Sequence, residues 1–259
     1  MALAIGQLNG KVLQPGEILS ANDTIGERTI AAGYRDAPIF RDGEVVDDTG
    51  GGICQVGSTL YNVALLANLE VLERDHHSRP VWYCPTGRDA ALYWGQKNVR
   101  IKNSLTHPLM FLGEVRGDRL WAAIVGHASD KYEVELTVTG LSRIGAGRRE
   151  IPDPTLPAGK TVVEKSGVAG ARATLWCKIS RGGKLIKKEK LHDDYYSPVS
   201  AVVHVGTKPK PPPPGTVPPV PPGTVTPLKP GGPGLKPGTG GAQPPVTTPQ
   251  PPVAPPAHH

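Results

Sequence analysis

No apolar run in the 259-residue sequence approaches the ~18 residues that a membrane-spanning helix needs. The N-terminus also lacks the basic-then-apolar pattern of a secretion signal. Three cysteines, at 54, 84 and 177, form neither a CxxC pair nor a dense framework, so disulfides do not organise this chain. Neither GxGxxG nor GxxxxGK followed by Ser or Thr occurs, which removes the two common phosphate-cradling loops. Aromatic residues are absent after residue 206, where 20 of the 29 prolines are concentrated in runs such as Pro211-Pro212-Pro213-Pro214. Such a stretch cannot bury enough apolar surface to offset its ordering entropy, so residues 208–259 are expected to form a disordered, partly polyproline tail. Met1-Ala2 opens directly into a helix-like stretch, Leu3 to Leu8. The expectation is therefore a chain that begins after a removed signal or anchor, with His258-His259 as the remnant of a tag.

The net charge of +6 is unevenly placed. Residues 1–130 hold 12 Lys and Arg against 15 Asp and Glu, whereas residues 131–206 hold 13 against 8, and the tail adds four lysines. A basic module beside a basic linker suits an anionic polymer, whether nucleic acid or a cell-wall polyanion. A merely solvated surface accounts for the charge equally well.

Between Val12 and Tyr34 the glycines and Pro15-Gly16 read as short strands and turns. Ile39-Phe40 and Val45-Val46 flank Asp42-Gly43, a hairpin signal, because glycine takes the positive φ such turns need. After Gly50-Gly51-Gly52, the residues Val56, Leu60, Val63, Ala64 and Ala67 recur at helical spacing, predicting a helix from about Cys54. Strands are predicted at 71–74, 80–83, 90–93, 99–102, 109–115 and 120–125. One helix on an antiparallel sheet makes this an α+β domain, residues 1–128. Residues 129–207 show alternating segments at 133–139, 171–179, 185–191 and 201–205, and read as an elongated all-β domain.

Cysteine at the first turn of a helix faces unpaired N–H groups and the positive end of the dipole, which favour thiolate over thiol. The glycines before it allow close approach of a substrate backbone. The N–H groups of Gly51, Gly52 and Cys54 are candidates to hold a tetrahedral oxyanion. A thiolate nucleophile wants an imidazole, and His76 and His77 follow on a strand predicted to return beside the helix, with Asp89 placed to orient one of them. The residues alone leave other readings open. Cys54 also suits a buried small hydrophobe, the glycines a tight turn, and His76, His77, Cys54 and Cys84 a zinc site of uncommon spacing.

The motif around Cys54, GGGICQVGSTLYNVALLANLEVLER from Gly50 to Arg74, continues with His77-Ser78, Pro80-Val81, Tyr83, Pro85, Gly87, Asp89-Ala90, Gly95 and Asn103. With Leu8-Asn9-Gly10, Pro15-Gly16-Glu17 and Gly33-Tyr34 ahead of it, this pattern resembles the VanW family over most of residues 3–125. Gly57, where serine is usual, and Asn98, where aspartate is common, depart from it. The resemblance, to a family tied to glycopeptide resistance, implies an extracytoplasmic, cell-wall-associated peptidoglycan L,D-transpeptidase. In it Cys54 is the nucleophile and His77, rather than His76, the base. Gly51, Gly52, Gln55, Arg74, Ser78 and Tyr83 are carried over as substrate-binding or oxyanion residues, with Arg74 either at a stem carboxylate or in a strand-edge salt bridge. The implied reaction forms a thioester at the third stem residue with loss of D-Ala, then a 3–3 cross-link by aminolysis.

Residues 131–206, with Gly167, Gly170, Gly182-Gly183 and the closing Val205-Gly206-Thr207-Lys208, resemble a G5 domain, which implies N-acetylglucosamine polymer binding or a spacer role. No cofactor or metal is implied. The expected partners are peptidoglycan stem peptides, glycan and anionic wall polymers rather than nucleic acid, with a membrane engaged only through a removed N-terminal anchor or signal. A non-enzymatic wall-binding or spacer protein and a thiol peptidase acting on stem peptides stand as the alternatives.

Overall fold

The computed structural model describes residues 1–41, 44–117 and 119–209, without the side chains of 37–41 and 44–49. In chain order the elements are α1 (Ala2–Leu8), β1 (Lys11–Leu13), β2 (Ile18–Ser20), α2 (Ala21–Ile25), β3 (Asp36–Arg41), β4 (Glu44–Thr49) and α3 (Ile53–Leu66). Then follow β5 (Glu70–Arg74), β6 (Val99–Lys102), β7 (Leu109–Arg116) and β8 (Arg119–Gly126). A second set comprises β9 (Glu133–Ile144), β10 (Arg148–Pro157), β11 (Thr161–Lys165), β12 (Gly170–Arg181), β13 (Lys184–Tyr196) and β14 (Ala201–Lys208). Among these elements no helix is long and apolar enough to cross a membrane.

Helix α3 forms where the 3.6-residue spacing places it. Val56, Leu60 and Ala64, one turn apart, are fully buried. It ends in a Schellman arrangement: Asn68 takes φ +57°, and the Leu69 N–H reaches back 3.0 Å to the Ala64 carbonyl. Its buried face lies against β5, β6 and β8, and also against β9 of the second set. Around it stand two three-stranded antiparallel sheets, ordered β1-β7-β8 and β2-β6-β5. Strands β3 and β4 pair as a hairpin, Ile39 opposite Val46 and Phe40 opposite Val45. The Asp42-Gly43 turn itself lies outside the described residues, as does the proline-rich tail from Lys210 onward.

The second set is all β, as the alternating segments indicate. One sheet runs β13-β12-β9, antiparallel throughout; the other runs β10-β14-β11, with β10 parallel to β14. Leu175 of β12 is buried in the same apolar cluster as α3, with Leu136, Val138 and Leu191 packed against it. The two sets therefore share one core rather than standing as separate bodies.

Several predicted elements are corrected. Residues 80–83 and 90–93 form no strand; apart from a single bridge at Tyr93 they are loop, with Ala90 held to α3 by Ser58 and the nearby Arg88 carbonyl by Asn62 instead of a ladder. Helix α2 was read as strand and turn. The Ser20 hydroxyl, which accepts the Asp23 N–H at 3.2 Å, caps it. Strands β10 and β11 went unpredicted: β10 carries Pro152, Pro154 and Pro157 and lies at a sheet edge, where proline is tolerated.

Candidate active site

Gly50 and Gly52 take φ values of +86° and +89°, a backbone region that costs a side-chain-bearing residue strain, and Gly52 is the N-cap of α3. A Cβ on Gly50 would also meet Arg28 Cβ at 3.0 Å. These turns deliver Cys54 as the second residue of a 14-residue helix, at the positive end of its dipole. Gly51, Gly52 and Gln55 surround this start; the Gln55 N–H is bonded to the Gly52 carbonyl at 3.2 Å.

The Cys54 sulfur is set between two loops. The Leu92 N–H donates to Sγ at 3.4 Å, and the Leu92 carbonyl lies 3.5 Å away. The 90–92 segment reaches this position because position 57 is glycine: a Cβ there would sit 2.7 Å from Leu92 Cγ. Ser58, one residue on, ties the same segment to α3 through the Ala90 N–H at 2.9 Å and the Ala90 carbonyl at 3.1 Å. The departure from the family pattern at Gly57 thus has a packing consequence.

On its other side Cys54 interacts electrostatically with the His77 side chain, each shifting the other's pKa. His77 lies in the loop after β5, not on a strand as predicted, and it is Asp89 that fixes its orientation. One carboxylate oxygen, Oδ2, accepts both the His77 backbone N–H at 2.8 Å and Nδ1 at 2.6 Å. Nε2 is left free of Asp89, with the Tyr83 hydroxyl 3.3 Å from it. His76 turns away: its Nδ1 is 2.6 Å from the His77 carbonyl and its ring packs on Tyr196. Cys54, His77 and Asp89 converge, and Tyr83 joins them. Ser78 is exposed.

Burial alone would raise the Cys54 thiol. The hydrogen bond and charge of His77, the Leu92 N–H and the charge of Arg28 outweigh it and hold the pKa below the ordinary thiol value. Burial likewise opposes the His77 cation, but Asp89 and the Cys54 thiolate lift it to about 9. Asp89 is 1% exposed, yet the bonds from His77 and Tyr196 keep it ionised below the usual carboxylate range. The other two thiols differ. Burial pushes Cys84 up to about 11 and raises Cys177 as well.

Arg74 is not at the disposal of a substrate. Its side chain is 8% exposed, with Nη1 and Nη2 on Asp194 at 2.7 and 2.8 Å and Nε on the Asp89 carbonyl at 2.8 Å. The expected stem-carboxylate ligand is therefore an internal ion pair. Arg28, overlooked in the sequence, is the cation that faces Cys54; its Nη1 rests on the neutral Asn22 Oδ1 at 3.0 Å. Beside it the buried Tyr34 hydroxyl has no hydrogen-bond partner among the described residues. Among those residues no group of His, Cys, Asp and Glu is arranged to hold a metal.

Residues 1–125 match the family model described as VanW like protein, and residues 135–208 match the G5 domain model. A VanW-like domain is followed by a G5 domain. The VanW-like domain is 40% identical over 110 residues to the uncharacterized protein YoaR of Bacillus subtilis strain 168, a match covering 42% of this chain and 36% of that protein. It is 27% identical over 108 residues to the vancomycin B-type resistance protein VanW of Enterococcus faecalis, covering 40% and 39%. The chain thus spans under two fifths of the length of either relative. The G5 domain is similar to the IgA1 protease G5 domain structure, with 20% identity and a TM-score of 0.23 over 30% of this chain and 94% of that one. Together the two domains mark a cell-envelope protein associated with the wall.

Proposed function

We propose that the VanW-like domain is a cysteine acyltransferase acting on peptidoglycan stem peptides in the manner of an L,D-transpeptidase. The observation that carries this reading is His77 held by Asp89 at 2.6 Å beside Cys54, with the thiol depressed and the imidazole raised by their mutual interaction. A thiolate and an imidazolium held together at neutral pH supply a nucleophile and a general acid in one step.

The Cys54 thiolate attacks the carbonyl carbon of the peptide bond after the third stem residue. N–H groups at the start of α3 receive the oxyanion. Collapse breaks the C–N bond, and His77 Nε2 gives its proton to the departing D-Ala amine. A side-chain amine from a neighbouring stem then attacks the thioester and returns its proton to His77. The C–S bond breaks to free the thiolate, leaving a 3–3 cross-link. Arg28 and the Tyr34 hydroxyl are the donors left to bind the terminal carboxylate of the donor stem, in place of Arg74. Exposed indoles suit a polymeric substrate: Trp82 is 86% exposed and set edge-on to Tyr83, and Trp94 lies under Arg28.

Incubation with tetrapeptide-rich sacculi, followed by muropeptide analysis, tests the reading. New 3–3 dimers that vanish in Cys54→Ala are expected. Sacculus binding that is identical in wild type and Cys54→Ala, with muropeptides unchanged, would instead establish a binding role.

A further inference from the structure

We propose that the G5 domain completes the thiol site: Tyr196 and Asp194, near the end of β13, are positioning residues that fix Asp89 and, through it, His77. The proposal rests on the triad reading above and extends it into the second domain.

Strand β13 alternates at its end. His192, Asp194 and Tyr196 turn toward the VanW-like domain, and Asp193 and Tyr195 face solvent. A strand that merely packed against a neighbour would present apolar side chains. Here Asp194 is 4% exposed and Tyr196 fully buried, and burial of such groups is costly unless every polar atom is met. Each is met by a group of the site or of its supporting loop. The Tyr196 hydroxyl accepts the Gly87 N–H at 2.9 Å and donates to Asp89 Oδ1. Asp194 takes both terminal nitrogens of Arg74, whose Nη2 lies 3.5 Å from Asp89 Oδ1. His192 closes the far side, 3.1 Å from Asp194 Oδ1 and 2.8 Å from the Tyr61 hydroxyl on α3, two turns along from Cys54.

The two oxygens of Asp89 are thereby divided. Oδ2 serves His77, and Oδ1 is held from across the domain boundary. A carboxylate pinned at one oxygen rotates about its Cβ–Cγ bond; pinned at both, it holds the imidazole in a single plane. Asp194 has a second effect, because it neutralises the Arg74 guanidinium that would otherwise draw the Asp89 charge away from His77. Gly87 makes the approach possible: a Cβ there would meet Ala173 Cβ of β12 at 3.0 Å.

The rate of Cys54 alkylation by iodoacetamide against pH, read by peptide mass on the full chain, tests the proposal without any substrate. Tyr196→Phe keeps the ring and removes the donor, so Oδ1 turns toward Arg74 and Oδ2 leaves Nδ1. The midpoint of the profile is expected to rise by about one pH unit. Asp194→Asn, which releases Arg74 onto Asp89, is expected to move it the same way and serves as the second variant if the first does not fold. Tyr195→Phe, on the opposite face, is the control and leaves it in place. A purely structural role would lower the unfolding temperature of Tyr196→Phe and leave the midpoint where it was; that result, or a downward shift, overturns the proposal while the triad stands. A wild-type Cys54 that titrates as an ordinary thiol instead sinks the triad reading, and the positioning role falls with it.

Discussion

Alanine at position 57 probes how closely the loop carrying Leu92 is seated on the helix that carries the thiol. The added Cβ would lie 2.7 Å from Leu92 Cγ, 3.0 Å from Leu92 Cδ1 and 3.3 Å from the Ala90 carbonyl oxygen. Leu92 is 3% exposed and Ala90 fully buried, so neither swings out into water. Overpacking of a filled core costs about 1–3 kcal/mol. Replacing glycine within a helix returns about 1 kcal/mol. The net expectation is a loss of about 1 kcal/mol in urea unfolding at an unchanged m-value. The companion variant is the sharper test. Leu92→Ala alone is expected to cost about 2–5 kcal/mol through its cavity. Combined with Gly57→Ala it vacates the space the new methyl needs, so the double variant should be less destabilised than the sum by about 1 kcal/mol or more. Additive losses, or a Gly57→Ala chain more stable than wild type, would refute the close seat. A displaced loop also takes the Leu92 N–H away from Sγ, and the single variant should alkylate more slowly at Cys54 near neutral pH.

Three further outcomes follow from the same geometry. In wild type the His77 imidazole should titrate near pH 9 by NMR; in Cys54→Ala, where the thiolate is gone but Asp89 remains, it should fall while staying above ~6.5. An unchanged value would mean that the two side chains do not interact. Arg28→Ala removes a cation that favours the thiolate, so Cys54 alkylation at pH 6 should slow several-fold while that of Cys84 and Cys177 is unaffected. Asp194 is depressed by the bonds from His192 and Arg74, which overcome its burial. Its contribution to stability is therefore present above the unfolded value of ~3.9 and is lost as pH falls through the lower folded value. Asp194→Asn should leave Arg74 buried without its partner and cost about 3–5 kcal/mol at pH 7. The gap between wild type and variant should then narrow as pH falls below ~3.9, and a gap as wide at pH 2 as at pH 7 would refute the pairing.

What the sequence reveals of this site is its local part. Helix α3, the glycines before it and the long strands carry periodic or turn signals, and those are where prediction and structure agree. The predicted strands at 80–83 and 90–93 are different, because their short apolar runs look the same whether a ladder or a set of side chains holds them. Here Ser58 of α3 holds Ala90, and Asn62 holds the Arg88 carbonyl between the two segments. His77 over His76 rests on the resemblance; in the structure Asp89 holds His77, while His76 packs on Tyr196. For Arg74 the sequence leaves a stem-carboxylate role and a salt bridge both open, because its partner, Asp194, comes from a strand far along the chain and no local pattern announces a long-range ion pair. Arg28 lacks any signal at all, since a lone arginine in a turn-rich stretch is unremarkable until Gly50 packs against it. Asp194 and Tyr196 left a faint trace: alternating with charged and exposed neighbours, they give β13 a polar inner face.

The shared core has a consequence for how such proteins can be assembled. Beads on a string are exchanged freely, each folding without regard to its neighbours. Here Leu175 and the end of β13 are part of what the first domain is built on, so a graft of an unrelated G5 module would have to reproduce that inner face as well as the linker. Order of synthesis matters too. On the proposed positioning role, a chain made from its N-terminus gains the complete Asp89 cradle only once β13 has docked.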